Sequence, residues 1–415
     1  MIISLFFIFI SAVIFMTYID RKLWGTIFTP FAVLAWPFLI LLTFEYIYLK
    51  FHFQYFVLNQ NVIVIWLIGL LFFWLAGLFI KLIFKSARID QLKLQKLSND
   101  TSFTKVKLQR LILVSYPLII FVGYKVYSLL RKYSFNLADE DFQKNMGSGL
   151  IGHSILFLTI ITIFLIIFFE KKYFKIHQIL IITVTITLSV FYGVKSWIII
   201  PLVSAFFGRL LMKKTKLKVK HILFVLMPFL VFWLIYQISL GFDSSNNDFI
   251  LKHMLNYMLA GPIGFSEHLN QSLPIGSNPQ YAFSPVINIV RFFIGEAPLA
   301  VISTYYVEIP TGFNPNVKTF FGTLFIYGGY TFVLTSFVLG LIFYSYLLIL
   351  CSFLESHMAP FITTLYVFML GLLFMGWFEN YVIHLTLYEA PFFAFLLHYL
   401  FKLKINHEDT YISQF

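Results

Sequence analysis

The chain is divided into apolar runs of near-constant length, beginning with "IISLFFIFISAVIFMTYI" at 2–19. A helix needs roughly 20 such residues to cross the hydrocarbon of a bilayer. Runs of that kind lie near 2–19, 26–49, 61–84, 111–130, 148–169, 176–192, 196–212, 221–240, 320–350, 358–377 and 382–401, eleven in all. "YGVKS" (192–196) interrupts one long apolar stretch and reads as a tight turn between two helices. The run at 320–350 exceeds what a bilayer requires, so it tilts or begins outside the membrane. Only 12% of the 415 residues are charged, against about 25% in soluble domains. The expected fold is an all-α polytopic membrane protein, residues 1–415 forming a single transmembrane domain. The first run lacks a preceding basic region and a small-residue cleavage site, and it reads as a membrane helix rather than a removable signal.

A formal charge of +12 invites a nucleic-acid reading until the basic residues are placed. With the 85–110 connection set in the cytoplasm, 21 of the 30 Lys and Arg residues fall on that side and seven on the other. Such a bias orients the chain with its N-terminus outside and its C-terminus inside. The excess charge is therefore topological, the run "KKTKLKVK" (213–220) included, and no nucleic-acid partner is expected. The single cysteine, Cys351, excludes an intramolecular disulfide, and no zinc-type Cys/His spacing occurs.

The same orientation sends residues 241–319 outward as one large loop, between the eighth and ninth spans. It holds seven of the 14 prolines. "FILKHMLNYML" (249–259) reads as an amphipathic helix on the membrane surface, and "VINIVRFFIG" (286–295) is a second apolar stretch. Long ordered loops on a helical scaffold tend to carry function.

No P-loop or G-x-G-x-x-G motif is present, so no nucleotide-driven pump is expected. "DED" (139–141) looks like a metal-holding carboxylate pair, but it lies outward beside Arg131, Lys132 and Lys144 and reads as a solvated, self-neutralised loop. The outward side offers Lys195, Arg291 and Lys318 as cations, with His253, Glu267, His268, Glu296 and Glu308 as titratable groups. Lys195 lies between apolar runs, where a lysine needs a partner or a wet cavity, or snorkels to the interface. The guanidinium of Arg291 suits phosphate oxygens, or a contact with Glu296 five residues on. Glu267 and His268 are placed for proton transfer, although adjacent helix positions point in different directions. Together these groups suggest an enzyme acting on an anionic, lipid-linked group.

Four stretches resemble the Wzy-type (O-antigen) polysaccharide polymerases of bacterial inner membranes. They are "YGVKSWIII" (192–200), "GSGLIGHSILFL" (147–158) with His153, "NYMLAGPIGFSEHLN" (256–270), and "NPNVKTFFGTLFIYGGYTFVLTSFVLG" (314–340), matched at Asn316, Thr319 and Gly329. An acidic residue common before that last glycine is absent, and Tyr327 stands in its place. The resemblance implies a GT-C-type glycosyltransferase without nucleotide donor, metal or other cofactor, and with a glycan on undecaprenyl pyrophosphate as substrate. It implies pyrophosphate binding by Lys195 and Arg291 with Lys318 and Asn316, and a general base at Glu267 or His268. His153, Glu296 and Tyr330 are further site candidates. A flippase and a chain-length regulator of the same pathway are the implied partners. The related O-antigen ligase would carry His beside the loop-closing Asn, where this chain has Pro315. A lipid-sugar flippase would distribute charges through its helices.

Overall fold

In the computed structural model, the structure describes residues 2–52, 58–99, 105–135, 140–147, 149–169, 173–191, 196–216, 247–299 and 314–402, with positions 233, 237 and 307. These residues are helical, with no strand among them. In chain order the helices are α1 (Ile2–Trp24), α2 (Pro30–His52), α3 (Gln60–Ile83), α4 (Gln91–Asn99), α5 (Lys105–Lys132), α6 (Glu140–Gly147), α7 (Gly149–Ile167), α8 (Lys175–Phe191) and α9 (Ser196–Leu211). There follow α10 (Asn247–Asn270), α11 (Ser284–Phe293), α12 (Phe320–Gly328), α13 (Phe332–Phe353), α14 (Ala359–Phe374) and α15 (Thr386–Lys402). Six candidate spans, Ser4–Trp24, Gln60–Ile83, Lys107–Lys132, Gly149–Ile167, Phe320–Phe353 and Ala359–Trp377, are long and apolar enough to cross a membrane. Most of the run expected at 221–240 lies outside the described residues.

Hydrophobic side chains on all faces mark a helix for the interior. Ala359–Trp377 fits that rule and is the most enclosed of the candidate spans. Helix α14 packs against α9, α7 and α2, while α3 lies along α13. Close approach of the last pair needs small residues: a Cβ on Gly340 would sit 2.5 Å from the Phe73 carbonyl oxygen. A smaller cluster, including Val122, Val126, Phe142, Met146 and Leu158, joins α5, α6 and α7.

Three local expectations change. The run at 320–350 is not one helix: a 3-10 turn, Gly329–Thr331, separates α12 from α13, and Gly329 at φ 53° opens the break. Most of the described residues of the 241–319 segment lie in helices or a 3-10 turn. Its stretch 249–259 does not simply lie on a surface, because it continues as α10 into the core, where Leu259, Ala260, Ile263 and Phe265 are buried. Finally the first helix runs past the apolar stretch 2–19 to Trp24, and Asp20 inside it is fully buried. Trp74 Nε1 donates to its carboxylate at 3.1 Å and the Tyr344 hydroxyl donates to the other oxygen.

Candidate functional site

Two interrupted apolar helices meet one outer helix. The segment 314–319 leads into α12, and the 3-10 turn Met375–Trp377 ends α14. Helix α10 is held against both by glycines. A Cβ at Gly261 would stand 2.3 Å from the Trp377 carbonyl oxygen, and one at Gly264 would stand 2.4 Å from that of Val317. Main chain therefore rests on main chain at both contacts, as "AGPIG" (260–264) permits.

Thr319 fixes the junction. Its φ of 65° and ψ of 168° place a β-branched residue in a region occupied almost only by glycine, at a cost of about 1–3 kcal/mol. Surrounding bonds hold it there. Trp66 Nε1 donates to its hydroxyl at 3.0 Å and Gly322 N–H at 3.2 Å. Its own N–H donates to the Phe378 carbonyl at 3.1 Å, and Thr323 Oγ1 donates to its carbonyl at 2.8 Å. Irregular backbone against apolar helices persists only where protein or water satisfies it, and here protein does. The same bonds orient the N-terminus of α12, whose free N–H groups favour an anion.

Lys318 precedes this strained residue and is buried. Its ammonium donates to the Pro315 carbonyl at 3.1 Å, and burial lowers its pKa to about 8. His268, also buried, lies with Nε2 3.2 Å from the Pro274 carbonyl oxygen. Burial lowers its pKa to about 4, with the nearby Lys318 cation acting in the same direction, so the imidazole is neutral at physiological pH. On the other side of the junction stands Glu379, directly after Phe378. Burial raises its carboxyl to about 7, and it lies within electrostatic reach of Tyr327 and Tyr381. Among the described residues its carboxyl makes no hydrogen bond or ion pair.

An apolar groove of about 630 Å³ is lined in part by Phe28, Trp36, Phe206, Met258, Met375 and Trp377. Met258 lies three residues before Gly261 on α10, and Trp377 two before Glu379. The groove and the polar groups thus share two of their supporting segments.

Only some of the sequence candidates belong to this cluster. Lys318 and His268 do; Asn316 lies exposed at its edge. Glu267 points away, taking bonds from Asn270 and Gln271 at 3.0 and 3.3 Å, so the adjacent pair divides between interior and surface. Arg291 Nε donates to the Ala297 carbonyl at 2.6 Å and lies 3.4 Å from the Glu296 carboxylate, the second of the two contacts its position suggested. Tyr330 is 90% exposed. His153 pairs with Glu389 on α15 at 2.9 Å. Lys195, Glu308 and Asp139 of "DED" lie outside the described residues, and no three metal-ligating side chains converge among those described. Glu379 escaped sequence reasoning because it fell in a four-residue turn between two expected spans. A carboxylate between apolar runs, followed by Asn380, was the available signal.

The fold and site define a helical membrane-type protein with polar chemistry gathered where apolar helices are interrupted. A family model described as a family of unknown function (DUF6337) matches residues 51–407, and the chain belongs to that family. Comparison with curated proteins and with solved structures gives no match.

Proposed function

We propose that the protein is a membrane glycosyltransferase that joins lipid-linked oligosaccharide repeat units and releases undecaprenyl pyrophosphate. In this reading the chain crosses a bacterial inner membrane eleven times, N-terminus outside, and residues 241–319 cover the outer face. The observation that carries the proposal is the Thr319–Phe378 main-chain bond, which sets a buried cation, Lys318, and a carboxyl without a hydrogen-bond partner among the described residues, Glu379, one residue to either side, with an apolar groove lined by the neighbouring Trp377 and Met258. A substrate with a long apolar tail and an anionic head matches both parts.

The tail lies in the groove, and the diphosphate faces Lys318 and the N-terminus of α12. The acceptor hydroxyl oxygen attacks the sugar C1 of the donor. The C1–O bond to the diphosphate breaks, its electron pair stays on the phosphate oxygen, and the acceptor proton passes to the Glu379 carboxylate. Charge grows on the leaving oxygen during this step, so a fixed ammonium stabilises the transition state more than the ground state. Burial suits Glu379 to the role of base, since a pKa near the working pH favours proton transfer. The neutral His268 supports the site by hydrogen bonding.

Purified protein in nanodiscs, given undecaprenyl-pyrophosphate repeat units, is the direct test. Extended glycan is expected without added nucleotide. Absence of product from folded protein, or full activity of Glu379→Gln, overturns the reading.

A further inference from the structure

We infer that α11 is an interfacial helix, lying in the headgroup layer of the bilayer with its apolar face among the acyl chains. Val286, Ile289, Val290 and Phe293 recur at positions i, i+3, i+4 and i+7, which places them on one face. All four are exposed, Phe293 to 79%, and Phe292 and Ile294 beside them are exposed to 77% and 62%.

The other face is closed by the chain itself. Asn288 and Arg291, three residues apart, hold the returning segment: Leu299 N–H donates to Asn288 Oδ1 at 2.7 Å, and Arg291 binds the Ala297 carbonyl and Glu296. The polar groups are thereby paired, and what remains outward is apolar.

The level of α11 in the molecule identifies the covering surface as lipid. Helix α13 has 22 residues, enough to cross a bilayer alone, which leaves the turn at Gly329–Thr331 at a bilayer face. Tyr330, almost wholly exposed there, is the kind of aromatic residue enriched at that boundary. Segment 276–283 fastens α11 to this turn. Gly276 and Asn278 N–H groups donate to the Ile326 and Tyr327 carbonyls at 2.7 and 3.0 Å, and the 3-10 turn Pro279–Phe283 runs directly into α11. A helix held at that height, apolar outward and with its one cation paired, fits a lipid surface.

Site-directed fluorescence tests this. Phe293→Cys and, as a comparison, Glu296→Cys are made in a Cys351→Ala background and labelled in nanodiscs. The label at 293 should be quenched several-fold more by bromolipid than by aqueous iodide, with that preference weaker or reversed at 296. Equal access of iodide to both sites overturns the inference. Shielding of 293 from both quenchers together with cross-linking between protomers overturns it in favour of a second copy of the chain. The unmodified protein gives an independent reading, because a lipid-borne carbene photoprobe should label the 284–294 peptide. A peptide left unlabelled while α13 is labelled also overturns it.

Discussion

Asp20 and Glu379 are both carboxyl groups set among apolar helices, the first fully buried and the second half-buried, and their surroundings differ in kind. Asp20 takes hydrogen bonds from Trp74 and Tyr344, which ties α1 to α3 and α13. Glu379 receives none among the described residues and directly follows Phe378, whose carbonyl accepts from the strained Thr319. A buried polar group with its partners in place costs little and rigidifies the fold. One left without them is a liability to stability, and it is tolerated where chemistry uses it. In the proposed function the pair separates a structural carboxylate from a working one by hydrogen-bond satisfaction, Asp20 being fully buried and Glu379 half-buried.

Substitution at the two positions should break the comparison most sharply. Glu379→Gln is expected to lower transfer at least about 100-fold, the usual contribution of a general base, with the thermal midpoint unchanged. Asp20→Ala should do the reverse, destabilising by about 2–4 kcal/mol because two buried donors lose their acceptor, while the folded fraction stays active. Denaturation of the purified variants alongside product assays reads both. Lys318→Met should follow, with a loss of about 100-fold. Lys318→Arg should recover little, since the larger guanidinium must fit a space bounded by Gly264 and Pro315.

The pH profile sharpens the contrast further. Glu379, with its pKa raised to about 7, becomes ionised as pH climbs, so activity should rise through about 7. Lys318, lowered to about 8, loses its charge on the alkaline side, so activity should fall above about 8. In Glu379→Gln the residual activity should lose its acid limb and keep the alkaline one. Rate measurements between about pH 5.5 and 9.5, spanning both limbs of the expected bell-shaped profile, decide this.

Smaller effects test the support. Thr319→Ala removes an acceptor shared by Trp66 and Gly322, worth about 1–2 kcal/mol, and should cut activity about tenfold by loosening Lys318. Thr319→Ser should be near wild type, because it keeps the oxygen. Arg291→Ala should change activity least, under about threefold, since that side chain serves the α11 turn.

Helix positions were legible in the sequence because twenty-residue apolar runs leave few alternatives. The interruptions were legible only in part. Asn316, Thr319 and Gly329 stood out as a pattern, and the structure gives the latter two a backbone meaning. Asp20 was hidden by its place: it lies past the end of the apolar run at 2–19, beside the exposed Arg21 and Lys22, and only the helical rotation of α1 turns it inward. Glu379 was hidden by brevity, in a turn too short to attract attention. Arg291 was open in the sequence between a phosphate ligand and a contact with Glu296, and the structure shows its Nε making the second. One-dimensional spacing reports which residues share a helix face; it does not report which face a fold leaves unsatisfied.

The glycine contacts of α10 have a mechanical consequence. Where two polypeptide backbones touch directly, no rotamer is available to absorb a displacement, so Gly261, Gly264, Trp377 and Val317 must travel together. This corner then behaves as a single casting, and under the proposed function tolerance for differently shaped sugars has to come from the chain segments around it.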